Sequence, residues 1–257
     1  MSDLKPFIHP DAKIGNNVSI APFSYIYGDV VIGDNTWIGP NVTIMDGARI
    51  GSGCRIFPGA VISAEPQDLK YAGEYTTTEI GNNTVIREYV TIHKGTSDKL
   101  KTVVGDNCLI MGYVHIDHDC IVGNNCIFAN YTGLSGHCII EDYATLEGRV
   151  GLQQFMRVGR YSFVGATTMI RKNVPPFIKT SREPASYMGV NSIGLRRRGF
   201  TEERINNIQN IYRVLFQKGM NISQALEVIK KEFEESEEKN EIIDFVLNSE
   251  KGIITRD

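Results

Sequence analysis

One spacing limits what this chain can fold into more than any other feature. From Val104 to Ile170 an aliphatic or aromatic residue occupies every sixth position without a break. The same register runs from Ile8 to Ile62, and Ile80, Ile86 and Ile92 lie on it between the two runs. A period of six fits neither the helical 3.6 nor an open-ended alternation of two, so each hexad reads as one short strand plus a turn. Four places after each aliphatic residue stands a residue that is usually small or β-branched, such as Cys108, Val114, Thr132 or Ala144, which suits the point where the chain folds inward. Glycine often follows the aliphatic residue, as at Gly15, Gly33 and Gly105, and is expected there to supply turn angles that other residues resist. Two segments, 63–79 and 97–103, interrupt the pattern, and insertions in a regular solenoid are natural places for function.

The hexads resemble those of the bacterial hexapeptide-repeat acyltransferases. That resemblance implies a mainly β fold, a left-handed parallel β-helix with three hexads per coil, commonly assembled as a trimer. The handedness comes from the resemblance alone, since left-handed crossovers run against the usual rule for parallel strands. The register is lost after Val174, so the expected division is a β-helix over 1–180 and a linker with a small helical domain over 181–257. Apolar periodicity there predicts helices near 202–218, 223–234 and 240–250, with Glu234 to Glu238 as a solvated connector.

A net charge of −3 argues against a general nucleic-acid binder. Neither an apolar run behind Met1-Ser2-Asp3-Leu4-Lys5 nor a span of about twenty apolar residues is present, so a soluble, cytoplasmic chain without an integral membrane segment is expected. Cys108 and Cys126, like Cys120 and Cys138, are spaced to stack on neighbouring coils about 4.8 Å apart. Every cysteine nevertheless holds the small inward position, which predicts buried core thiols.

The residues that could carry chemistry are few. His115 and His118 fall together in His115-Ile116-Asp117-His118-Asp119, with His137 near by. On an 18-residue coil Gly136 lies over His118, His137 over Asp119, and Gly133 and Gly151 over His115. Glycine above each histidine would leave a groove beside the imidazoles. A base with a carboxylate beside it and a bare amide one coil away fits acyl transfer. Two other readings stay open on the residues alone: surface histidines on a row of turns, or a metal site formed by His93, His115, His118 and His137, since hexapeptide β-helix carbonic anhydrases bind zinc through three histidines. A further charged group, Arg196-Arg197-Arg198, precedes a predicted helix N-terminus, where cations oppose the dipole and an anionic partner such as a diphosphate explains them better than stability does, although Glu202 and Glu203 partly offset them and leave the stability reading open.

The ordered combination of Gln67-Asp68-Leu69-Lys70-Tyr71-Ala72-Gly73-Glu74, Thr91-Ile92-His93, His115 to Asp119, Leu134-Ser135-Gly136-His137, Gln154-Phe155 and Gly189-Val190-Asn191 is similar to the acyl-[acyl-carrier-protein]:UDP-N-acetylglucosamine O-acyltransferases of lipid A biosynthesis. The similarity covers nearly the whole chain. It implies an acyl-carrier protein donor, UDP-N-acetylglucosamine as acceptor, a homotrimer, and neither metal nor organic cofactor. His118 matches the family's general base, Asp119 its orienting carboxylate and Gly136 its oxyanion-binding amide. Asp68, Lys70, His93, His115 and His137 match residues lining the sugar and acyl-pantetheine cleft, and Gln154, Asn191, Arg197 and Arg198 match nucleotide contacts. Ala166, with Met169 near by, falls at the position that sets acyl length. The chain departs from the pattern at Gln153, where a second active-site histidine is common, at Ile193, where a glutamate is common, and over Glu147-Gly148-Arg149. Those departures admit a sibling that N-acylates an amino sugar nucleotide.

Overall fold

The computed structural model describes residues 4–217 and 219–256; the chain start at residues 1–3 and the expected helix end at Lys218 lie outside them. The hexads form two-residue strands that stack in three parallel sheets, one on each face of a triangular prism. Sheet A runs from Phe7–Ile8 to Met169–Ile170, sheet B from Lys13–Ile14 to Arg157–Val158, and sheet C from Ser19–Ile20 upward. Successive coils align 18 residues apart, as His115 with Gly133 and Gly133 with Gly151. This is the left-handed parallel β-helix, with the aliphatic or aromatic residue of each hexad buried inside from Ile26 onward and the first coil, at Ile8, Ile14 and Ile20, more open.

All five cysteines are free thiols buried in that core. The glycines after the aliphatic residues have a different reason from the expected one. Gly15, Gly33 and Gly105 do not have positive φ. They are small because a Cβ at Gly33 would lie 2.6 Å from Ser52 N, and one at Gly105 the same distance from Gly123 O. Close approach of the next coil excludes the side chain. The left-handed turn positions fall two residues later, on residues such as Asn17, Asn35 and Asn125, the type that tolerates this region best after glycine.

Both insertions leave the solenoid at the edge where sheet A passes into sheet B. Ile50 pairs with Ile80 and Ile80 with Val104, spacings of 30 and 24 residues against the ordinary 18. After the last coil the chain forms an antiparallel pair, Ile178–Ser181 with Ser186–Val190, which extends sheet C across the boundary expected near residue 180. Four helices follow: α1 Ser192–Arg197, α2 Glu202–Gln217, α3 Ile222–Glu232 and α4 Glu237–Leu247. They sit on the end of the solenoid, where the buried Tyr212 hydroxyl donates to Pro176 O at 2.6 Å.

Two expectations are corrected here. Glu234 to Glu238 is not simply a solvated connector: Ser236 caps α4, Glu237 and Glu238 form its first turn, and Glu238 is buried against Arg204. Acidic residues favour a helix start, so α4 begins three residues earlier than expected. Arg196 and Arg197 occupy the last turn of α1 and Arg198 caps it, so the dipole of their own helix favours them; only Arg196 reaches across to the start of α2, pairing with Glu202.

Candidate active site

The edge between sheets A and B collects nearly all the chemistry. His118 and Asp119 lie one coil below Gly136 and His137, and the Asp119 carboxylate meets the His118 ring, with Oδ2 2.8 Å from Nδ1. Both side chains are almost wholly buried, at 2% and 0% exposure. That contact assigns the Nδ1 proton to the bond with Asp119 and leaves Nε2 as the basic nitrogen. Each oxygen of Asp119 takes a second donor or more: Oδ1 accepts the Thr96 and Lys99 N–H groups at 2.9 and 3.2 Å, and Oδ2 the Thr96 hydroxyl at 2.6 Å. Burial pushes the Asp119 carboxyl upward, but the Thr96 and His118 hydrogen bonds outweigh it and hold it below the usual range.

Gly136 is small because the imidazole needs the room. A Cβ there would lie 2.5 Å from His118 Cε1 and 2.7 Å from Nε2. Among the described residues the Gly136 N–H donates to no acceptor. The basic nitrogen and an unused backbone donor therefore share one small space, which is the arrangement that addition to a carbonyl requires.

His93 and His115 form a second pair beside the first. His93 Nδ1 contacts Asp117 Oδ1 at 3.1 Å, and the Thr91 hydroxyl contacts His115 Nδ1 at 2.8 Å. Burial and the neighbouring His93 lower the His115 pKa, so this ring stays neutral at physiological pH. The Asp117 carboxyl is raised by burial, yet the bond to His93 and the His118 backbone N–H together bring it below its ordinary value. The four histidines thus split into His93, His115 and Asp117 on one side and His118, Asp119 and His137 on the other, each a set of three close enough to hold an ion. Asp119 has all four lone-pair positions taken by donors, which fits an orienting carboxylate better than a metal ligand.

Asp68 and Lys70 come to this edge on the first insertion. They line a cavity of about 310 Å³ with Glu74, Thr96, Asp98 and His137. Phe155 closes it, stacked on His137 at 4.6 Å. Gln153 and Gln154 are exposed on the coil above Gly136. Met169 lies in the sheet A column over Gly151, Gly133 and His115, whereas Ala166 is exposed at the opposite edge of that sheet, between sheets C and A.

Asn191, Arg197 and Arg198 are elsewhere. They line a cavity of about 680 Å³ on the outer face of sheet C, with Tyr143, Tyr161 and Ile193. Asn191 donates to Tyr161 O at 3.0 Å, and the Arg198 guanidinium stacks 4.8 Å over Tyr143. Neither Arg197 nor Arg198 has an ion-pair partner among the described residues. Sequence reasoning missed the roles of Thr96, Lys99 and Glu74, which fall in or beside insertions that no register locates; it passed over Asp117, whose place between His115 and His118 was the available signal.

Known proteins resemble this chain over nearly its whole length. The family described as UDP N-acetylglucosamine O-acyltransferase, domain 2, matches residues 173–254, and the bacterial transferase hexapeptide family matches 29–64 and 101–136. An acyl-[acyl-carrier-protein]–UDP-N-acetylglucosamine O-acyltransferase of Chlorobaculum parvum is 48% identical over 255 residues, covering 98% of this chain and 97% of that protein. The crystal structure of a UDP-N-acetylglucosamine acyltransferase from Bacteroides fragilis superposes with a TM-score of 0.96 at 51% identity, over 99% of each chain. That of the Francisella novicida UDP-N-acetylglucosamine acyltransferase does so at 0.95 and 40%, over 100% of this chain and 94% of that one.

Proposed function

The chain belongs to the acyl-[acyl-carrier-protein]–UDP-N-acetylglucosamine O-acyltransferase family, and we propose that His118, Asp119 and Gly136 carry its reaction. A 3-hydroxyacyl group passes from an acyl-carrier protein thioester to the 3-hydroxyl of UDP-N-acetylglucosamine, the first step of lipid A biosynthesis. His118 Nε2 takes the hydroxyl proton as the oxygen attacks the thioester carbonyl. Asp119 stabilises the imidazolium through Nδ1–H, and the Gly136 N–H binds the oxyanion. Collapse of the tetrahedral intermediate breaks the C–S bond, and the thiolate takes the proton back from His118. No step calls for a metal or an organic cofactor. The observation that carries this reading is the unused Gly136 N–H beside the His118–Asp119 pair.

The working form we propose is a cytoplasmic homotrimer. The histidine edge and the arginine cavity lie on different faces of one chain, so a single site using both needs two copies. In support, none of the nine outward residues of sheet A from Phe7 to Met169 is Asp, Glu, Lys or Arg, whereas the outward row of sheet B carries Lys13, Arg49, Glu79 and Arg157. A ring in which sheet A of one copy meets sheet C of the next would bring Asn191, Arg197 and Arg198 to the neighbour's His118. Asp68, Lys70, His93, His115 and His137 then hold the sugar and the pantetheine arm, Gln154 joins Asn191, Arg197 and Arg198 on the nucleotide, and Met169 and Ala166 bound the acyl chain. Mass spectrometry of UDP-N-acetylglucosamine incubated with the protein and a panel of acyl-carrier thioesters tests the reading. An O-linked acyl product supports it; exclusive use of the 3-amino analogue would overturn it in favour of N-acylation.

A further inference from the structure

One side chain joins the two insertions, and the turn it reaches also holds the Asp119 carboxylate. Glu74, in the first insertion, accepts the Ala72 N–H on Oε2 at 2.8 Å and, on Oε1, the Ser97 N–H of the second insertion at 2.9 Å. Ser97 adjoins Thr96, whose N–H and hydroxyl both bond Asp119, and the Lys99 N–H adds a third bond. The segment is fixed below as well: Gly95 N–H donates to Thr77 O, and Leu100 N–H to Thr96 O. A Cβ at Gly95 would lie 2.2 Å from Lys101 N, so this turn admits little displacement. Hydrogen bonds from Ala72 N–H and, to a smaller degree, Ser97 N–H hold the Glu74 carboxyl below the usual range, so the bridging group is an anion at neutral pH.

We infer that Glu74 and Thr96 are positioning residues: Glu74 latches the Asp68–Lys70 loop to the 94–100 turn, and Thr96 in that turn fixes the rotamer of Asp119, and through it the ring plane of His118. Neither residue touches the reacting atoms. The inference rests on the proposed roles of His118 and Asp119. Its physical content is that Asp119 Oδ2 is shared between the Thr96 hydroxyl and His118 Nδ1. Without the hydroxyl the carboxylate has a torsion to explore that the imidazole must follow, and small misplacements of a catalytic base are costly. The loop that carries Asp68 and Lys70 and the dyad that moves the proton are thereby set by one hydrogen-bonded chain.

The test is a double-mutant cycle on the full-length protein. Thr96→Val keeps the shape and removes only the hydroxyl; Glu74→Gln keeps the length and turns one acceptor into a donor. Each is expected to lower kcat about three- to tenfold, with KM for UDP-N-acetylglucosamine changed less than about twofold. In an Asp119→Asn background each should lose most of that effect, because no carboxylate remains to be positioned. Melting temperature is measured on every variant, so that a fold defect in Glu74→Gln leaves Thr96→Val to decide. Full, additive losses in the Asp119→Asn background, or unchanged kcat in both single variants, would overturn the inference. Absence of acyl transfer by the wild-type protein would instead strike the functional reading beneath it.

Discussion

The histidine edge and the arginine cavity serve one proposed reaction and are built by opposite means. The first stands on regular coils: His118 and Asp119 are buried, every oxygen position of Asp119 is occupied, and Gly136 is held in place by the 18-residue register. The second stands on an antiparallel pair and a six-residue helix; Arg197 and Arg198 are exposed, without ion-pair partners among the described residues. Proton transfer needs groups whose orientation is fixed before the substrate arrives. A diphosphate needs cations left free to pair with it and able to settle around it. The contrast teaches that loss at the edge should appear in turnover, and loss in the cavity in nucleotide affinity.

The largest expected effect is at the edge. His118→Ala should lower kcat by about two to four orders of magnitude, the usual contribution of a positioned general base, while nucleotide affinity changes little. Asp119→Asn should cost less, since it removes orientation and imidazolium stabilisation but leaves the base. Steady-state kinetics with isothermal titration of UDP-N-acetylglucosamine measures both. A His118→Ala protein that keeps more than about a tenth of wild-type turnover removes His118 from the mechanism.

Next comes the cavity. Arg198→Ala should raise KM for UDP-N-acetylglucosamine about ten- to hundredfold, as loss of a charge-assisted hydrogen bond worth about 1.5–3 kcal/mol requires. It should leave kcat within about threefold. Mixing the two variants sharpens the comparison. If neighbouring chains share each site, co-refolded His118→Ala and Arg198→Ala chains regain intact sites at about a quarter of positions, by random assortment in a ring. No regain of activity at low nucleotide would mean that both halves serve from one chain.

How much was legible in the sequence follows the same division. Where residues stand on the repeat, spacing alone placed Gly136 over His118, Gly133 over His115 and every cysteine inward, because parallel coils in register convert a count of 18 into a neighbour. Where they leave it, spacing was silent. Thr96 bonds Asp119 from the turn beside the second insertion, Glu74 bonds Ser97 from the first, and no periodicity says which residue of a loop turns inward. The turn glycines were found but for the wrong reason, since crowding by the next coil is invisible until that coil is placed. The arginines went astray because α1, only six residues long, carries too few apolar positions to show a period, and the start of α4 because its first turn is acidic and reads as a connector.

A smaller effect separates the histidine edge from the C-terminal helices by pH. Burial raises the Glu241 carboxyl to about 7, against the pull of Arg160 and with help from Glu141, Glu237 and Glu238. Its ordinary unfolded value is about 4.3, so its contribution to stability is complete below that pH and is lost as pH rises through about 7. The edge has the opposite sign. The lowered values of His115, Asp117 and Asp119 mean that the unfolded chain binds more protons, so their contribution is lost as pH falls. Glu241→Gln should therefore raise stability near pH 8 by roughly 1–2 kcal/mol, discounted for partial exposure and for the lost Arg160 contact, with a clearly smaller change near pH 5. Thermal melts at the two pH values check it, and an equal shift at both would remove Glu241 as the titrating group.

The smallest expected effect lies at Gln153, the clearest departure from the family pattern on the edge itself. Its backbone is locked in the coil, with N–H donating to Ile170 O at 3.0 Å, while its side chain is exposed and makes no hydrogen bond among the described residues. By register it stands over Ser135 and two coils above Asp117, one column from Gly136 and His118. An amide at this place can donate and accept but cannot become cationic as histidine can. If the group needed there is a hydrogen-bonding partner for the sugar or its acetamido group, glutamine serves, and transfer to the 3-hydroxyl proceeds. If a positive charge is needed, O-acylation should be weak and the amino sugar preferred. The hydrogen-bonding alternative is the one expected here, because His118, Asp119 and the free Gly136 N–H are all in place for hydroxyl attack. Gln153→His should then change turnover with UDP-N-acetylglucosamine by less than about tenfold, or about 1.4 kcal/mol at the transition state. A larger gain, measured side by side with the 3-amino analogue, would show that the edge lacks a cation and that charge, as well as fixed orientation, belongs to its design.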